Sequence, residues 1–120
     1  MNAQSAVERF LTAFYVGDVS ATRDAITADF TLVGPFATVH SADELFELAG
    51  GLLKIVRGHK VLRWVAEGND VAALYEIVLE GPAGQGSLPT AGWFTASGGH
   101  VSGGQLIYDS AAFAAIVSPA

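Results

Sequence analysis

The chain contains no cysteine. That excludes disulfides, thiolate metal sites and a cysteine nucleophile. Charge is also scarce: 15% of residues are charged, with 6 basic against 12 acidic and a formal net charge of -6. Binding nucleic acid takes clustered cations that neutralise phosphates, and anionic lipid makes the same demand. The few basic residues here are scattered, so neither nucleic acid nor a membrane is expected as a partner. No uncharged apolar run reaches the roughly 20 residues that span a bilayer. The first residues, Met-Asn-Ala-Gln-Ser-Ala-Val-Glu-Arg, lack a basic stretch followed by an apolar one. No secretory signal is therefore expected, and the expected location is the cytoplasm. The three histidines, His40, His59 and His100, have no ligand spacing, so no metal site and no cofactor is expected. His59 is assigned to a turn and His100 to the flank of another, both at the surface. There is no internal repeat, low-complexity tract or linker, and 120 residues suit one domain over 1–120.

What the chain has in quantity is apolar surface. Hydrophobic residues make up 51%, which predicts a large core, a lined cavity or an oligomer interface. Val7, Phe10, Leu11 and Phe14 recur at helical spacing with Tyr15 beside them, and Gly17 stops that helix. Ser20 is a candidate cap for a second short helix. Phe30 to Val33 has strand composition, ended by Gly34-Pro35. Ser41-Ala-Asp-Glu44 is a capping box, with Leu45, Leu48, Ala49 and Leu52 following on one face. Gly50-Gly51 predicts a kink or an early end there. From Lys60 the period becomes that of strands, over Val61 to Ala66 and Val71 to Leu79, followed by a glycine- and proline-rich loop from Gly81. The order is helices, then an antiparallel meander, which gives an α+β domain.

Ala91 to Asp109 reads as two strands joined at Gly98-Gly99, a pair that tolerates the positive φ a two-residue hairpin requires. Together with Gly17-Asp18 and Asp29-Phe-Thr-Leu-Val-Gly-Pro35, this stretch resembles the NTF2-like superfamily, in its SnoaL-like and ketosteroid-isomerase-like branch. The resemblance covers nearly the whole chain. It implies a cone-shaped fold with the N-terminal helices packed in a curved, mostly antiparallel sheet around a pocket. Alternation makes Tyr75, Ile77 and Leu79 co-facial, and likewise Ala91, Trp93 and Thr95, and Gly104, Leu106 and Tyr108. The resemblance places all three sets on the pocket side. It implies Phe10, Phe14, Tyr75, Ile77, Trp93, Leu106 and Tyr108 as neighbours of a small apolar ligand. Tyr75, Trp93 and Tyr108 also read as ordinary core packing.

The isomerase groups are missing. The position of the isomerase tyrosine is Phe10, that of the base is Gly34, and that of the second acid is Ala91, so steroid isomerisation is not expected. Limonene-epoxide-hydrolase-like relatives use an Asp-Arg-Asp set, and Arg63 has no aspartate pair to match. A SnoaL-like cyclase needs little more than one acid/base group in an apolar cavity. The candidates are His40, in a loop that borders the pocket in such folds, and Asp109. His40 also reads as an exposed loop residue, and Asp109 as a helix cap. Glu76 falls out of phase with Tyr75 and is expected outside. The functional expectation is a pocket protein with single-site acid/base chemistry on an apolar cyclic substrate. The alternative is a non-catalytic binding or dimeric interaction module. A homodimer is expected in either case.

Overall fold

The computed structural model describes residues 2–117. Helix α1 (Ala3–Tyr15) starts at Asn2, whose side chain accepts from the Ser5 amide, and the chain turns away through Gly17 at φ 77°. It buries Val7, Phe10, Leu11 and Phe14 as its periodicity predicts. Helix α2 (Val19–Asp24) is capped by Asp18, which accepts from the Ala21 amide, and not by Ser20. Strands β1 (Ile26–Val33) and β2 (Thr38–Val39) flank the Gly34-Pro35 loop. Helix α3 (Ala42–Leu53) opens on the expected box. The Glu44 amide donates to Ser41 Oγ at 3.1 Å, and the His40 amide donates to Glu44 Oε1 at 2.8 Å. It runs unbroken past Gly50-Gly51, correcting the expected early end, because Leu45 and Ala49 are buried on one face and tertiary packing outweighs glycine's propensity cost.

Strands β3 (Val56–Glu67), β4 (Asp70–Gly81), β5 (Gly84–Ser97) and β6 (His100–Tyr108) follow, and α4 (Ser110–Val117) comes last among the described residues. The sheet order is β2-β1-β6-β5-β4-β3. Every pairing is antiparallel except β1 with β6, which is parallel. The fold is α+β, as expected, but the sheet is not a simple meander. The expected loop after Gly81 is a tight turn into β5. Pro89 is tolerated inside that strand because β6 pairs only from Thr90 onward, so β5 is an edge at Pro89. His59 lies within β3, not in a turn.

The hairpin at Gly98-Gly99 forms as expected, with φ 58° and 83°. Ser97 pairs with His100 and Ala96 with Val101, but then Thr95 pairs with Gly103 and Phe94 with Gly104. The pairing slips by one residue. Leu88, Thr90, Gly92 and Phe94 share the inner face with Tyr75 and Ile77 through their pairing with β4, and the slip brings Leu106 and Tyr108 to that face. Ala91, Trp93 and Thr95 face outward, which corrects the expectation for that set. Trp93 is 59% exposed. Phe94 takes the inner place and packs against Phe10, which also meets Phe14 and Phe30. Phe10 is thus part of the core.

Strand β6 crosses β1 closely. A Cβ built on Gly103 would lie 2.5 Å from the Thr31 carbonyl oxygen. Gly103→Ala is expected to destabilise by roughly 1–3 kcal/mol, because backbone must move to admit the methyl. An unchanged melting temperature would sink that expectation.

Candidate functional site

The inner face of the sheet and the helices do not meet everywhere. Between α1, α3, the Gly34–Ala37 loop and α4 they leave a cavity of about 200 Å³. Hydrocarbon makes most of its wall: Phe14 from α1, Leu45, Ala49 and Leu52 from α3, Ile77 and Leu88 from the sheet, and Phe113 from α4. Phe36 and Leu48 belong to the wall yet are 60% and 53% exposed, which marks where the cavity reaches solvent. Phe36, Tyr108 and Phe113 form an aromatic cluster there, with ring centroids 5.7–6.2 Å apart.

Among the described residues the polar side chains of the lining are three hydroxyls, Tyr15, Thr90 and Tyr108. Tyr75 pairs with Thr90, and Thr90 with Tyr108, so the register itself draws a transverse band of hydroxyls across β4, β5 and β6. Tyr15 meets the band from α1, its hydroxyl 2.9 Å from that of Tyr75. Thr90 donates to the Leu88 carbonyl at 3.2 Å. Burial, reinforced by Tyr75, holds the Tyr15 phenol well above the usual tyrosine range. Burial also raises Tyr75, against an opposing contribution from its hydrogen bond with Tyr15. Tyr108 is raised for the same reason. Both members of the buried pair stay neutral at physiological pH. Behind them, the ring of His59 lies 5.1 Å from that of Tyr15. Burial lowers the His59 pKa, favouring the neutral imidazole.

The sequence-derived candidates are thus divided. Phe14, Ile77, Leu106 and Tyr108 line the cavity, and Tyr75 stands directly behind Tyr15. Phe10 is in the core and Trp93 is on the far face of the sheet. His40 is exposed, with Nδ1 3.4 Å from Glu44 Oε1, and is not part of the wall. Asp109 caps α4 by accepting from the Ala111 and Ala112 amides, and is exposed. The outward position of Ala91 moves the isomerase comparison to Thr90 and Gly92, neither of which is an acid. Sequence reasoning missed Tyr15 and Thr90. Leu11 and Tyr15, four residues apart on one helix face, were the available signal for the first. Among the described residues no group of three His, Cys, Asp or Glu could hold a metal ion, and no helix is long and apolar enough to cross a membrane.

The model of one family, the SnoaL-like domain, matches residues 7–103. No curated protein matches the sequence at a significant level. Solved structures share the fold at low identity. An NTF2-like protein of unknown function from Burkholderia pseudomallei is 14% identical with a TM-score of 0.78, covering 98% of each chain. A Catenulispora acidiphila protein with a ketosteroid-isomerase-like fold, in complex with trimethylamine, is 15% identical with a TM-score of 0.80, covering 96% of this chain and 93% of its own. An LEH-like epoxide hydrolase from M. tuberculosis is 22% identical with a TM-score of 0.77, covering 95% of this chain and 88% of its own.

Because the native phenols of Tyr15 and Tyr75 titrate above the unfolded value, the unfolded chain loses those protons first. The stability they protect is complete below about pH 10 and lost as pH rises past it. The melting temperature is therefore expected to drop above that pH, and to drop less in a Tyr15→Phe/Tyr75→Phe double variant. Identical alkaline slopes would contradict the burial of these hydroxyls.

Proposed function

Since this chain belongs to the SnoaL-like domain family, we propose that it is a pocket protein that holds a small, mostly apolar ring compound between its helices and its sheet. The observation that carries this reading is the cavity of about 200 Å³ with a wall of hydrocarbon and hydroxyl groups. A cavity of about 150 Å³ lined by apolar side chains accepts one benzene ring, so this one suits a molecule of one or two fused rings. Clefts of this kind bind by excluding apolar surface from water, with a few polar groups to set orientation. That a protein of the same fold is seen with trimethylamine, and another is an epoxide hydrolase, supports the use of such cavities for small molecules.

General acid-base catalysis needs a titratable group within hydrogen-bond reach of the substrate. His40 and Asp109 are committed to the start of α3 and the start of α4. The geometry therefore favours binding over single-site proton transfer by either residue. Tyr15 is the wall's best-placed hydrogen-bond donor.

A second surface favours self-association. On the outer face of the sheet Val65, Leu74, Trp93 and Ile107 are 60%, 45%, 59% and 58% exposed. They flank a shallow apolar cleft with Arg63 at its border. Scattered exposed apolar residues are ordinary, but a contiguous group on a flat sheet face marks an interface. We propose that a second copy of the chain covers it.

Two experiments test these readings. Naphthalene titrated into the protein is expected to bind and to raise the melting temperature. Ala49→Phe, which puts a ring in the cavity, should weaken that binding by at least about tenfold. Unchanged affinity in the variant would remove the cavity from the argument. In sedimentation equilibrium at micromolar concentration a dimer mass is expected for the natural chain and a monomer mass for Trp93→Glu. A monomer in both cases would end the dimer proposal.

A further inference from the structure

Beyond holding an apolar ring, the site has the means to choose among rings. We propose that the Tyr15–Tyr75 pair is an oxygen-recognition device: Tyr15 donates to the carbonyl oxygen of an uncharged cyclic ligand, and Tyr75 orients Tyr15 from behind. This inference rests on the cavity being a ligand site.

Proton counting supports the assignment. Two neutral phenols bring two protons, and the 2.9 Å contact between their oxygens uses one. One O–H is left over. Tyr75 is fully buried and stands outside the wall, whereas Tyr15 is part of it. If Tyr75 donates to Tyr15, its own requirement is met and the spare proton belongs to Tyr15, at the cavity. The opposite arrangement strands an O–H behind the wall, where an unmet donor is costly. Thr90 does not compete as a donor, because its proton already goes to the Leu88 carbonyl, and Tyr108 stands half-buried in the aromatic cluster at the solvent opening, at the other end of the band from Tyr15.

The surroundings fix where the ligand oxygen must lie. On the row to one side of the band, Ile77 pairs with Leu88. On the other side, Ala73 pairs with Gly92, and Gly92 with Leu106. Neither row offers a polar side chain, so an oxygen placed away from the band is desolvated without a partner. A carboxylate or ammonium group would fare worse, since among the described residues the wall holds no opposite charge to offset its desolvation. The rings of Phe14 and Tyr15, 4.8 Å apart and edge-on, favour a flat partner against them.

The test compares ligands that share a skeleton. 1-Tetralone and tetralin are the same fused ring system with and without the carbonyl, and 1-naphthoate adds a charge. Each is titrated calorimetrically into the full chain. The ketone is expected to bind roughly fivefold more tightly than the hydrocarbon, as one net hydrogen bond implies. Tyr15→Phe should bring that ratio to about one, with the ketone losing most of its affinity advantage. Tyr75→Phe should keep a preference for the ketone, because Tyr15 retains its proton. Should Tyr15→Phe fail to fold, the Tyr15→Phe/Tyr75→Phe double variant, which leaves neither hydroxyl orphaned, serves in its place. Equal binding of ketone and hydrocarbon to the natural chain would overturn the oxygen-recognition proposal and leave the cavity reading intact. A ketone preference that survives both Tyr15 variants would reassign the donor and overturn it as well. Binding of neither ligand would sink both readings, and tightest binding by 1-naphthoate would refute the selection for uncharged ligands.

Discussion

Between Thr95 and Ala96 the pairing of β5 with β6 slips by one residue, and the layout of both faces of the sheet depends on that slip. Without it, the two-residue hairpin at Gly98-Gly99 would set Gln105 opposite Gly92 and Ile107 opposite Thr90, facing the helices. With it, Gly104 stands opposite Phe94, which reaches Phe10 on the inner face, and Leu106 and Tyr108 join that face. The glycines on this face follow from the same constraint. A Cβ at Gly92 or Gly104 would collide with the Phe94 ring. The bulge also turns Ile107 out beside Leu74 and Trp93, completing the exposed apolar face. A change of one residue in register exchanges the core and surface sets of a strand. One local irregularity therefore decides both the packing of the pocket floor and the character of the outer face.

The same register arranges the polar groups of the cavity. Tyr75, Thr90 and Tyr108 come from separate strands, and only cross-strand pairing aligns them. Burial then acts on the phenols in one direction, raising their pKa values and keeping their protons. A site of this composition can donate a hydrogen bond and present aromatic faces. Moving a proton near neutral pH would require a group that titrates there. His59 comes nearest, but it packs on the outer side of Tyr15 and lines a separate shallow groove with Glu8 and Trp64. The chemistry of the wall is that of recognition.

Much of the fold was legible because it is locally encoded. The α1 stripe, the capping box and the Gly98-Gly99 turn each act over a few residues, where periodicity and φ requirements are strong. The resemblance to a cone-shaped fold held for the same reason. Trp93 was misplaced because alternation carries no information across a bulge, and no residue between Thr95 and Gly103 announces one. The Tyr15–Tyr75 contact spans 60 positions and depends on how α1 seats in the sheet. Each tyrosine could be assigned to a buried face from the sequence, but their meeting could not. His40 read either as a proton shuttle or as an exposed loop histidine and Asp109 either as a base or as a helix cap; both lie outside the cavity wall, the first exposed beside Glu44 and the second at the start of α4.

The cavity also bears on why the chain leaves space where it could have filled it. An apolar void of this size costs on the order of 5 kcal/mol if it stays empty and closed, against a total stability of roughly 5–15 kcal/mol for a domain. The opening beside Phe36 and Leu48 lessens that figure by admitting solvent. Even so, small residues such as Gly34, Ala37 and Ala49 stand in the wall where larger ones would close the gap. A ligand at about a hundred times its Kd returns about 2.7 kcal/mol by mass action, a large part of what the void removes. Such a chain is more stable occupied than empty. On the proposed reading the space is kept for a ligand, and the spare phenol proton of Tyr15 would give that ligand a preferred orientation.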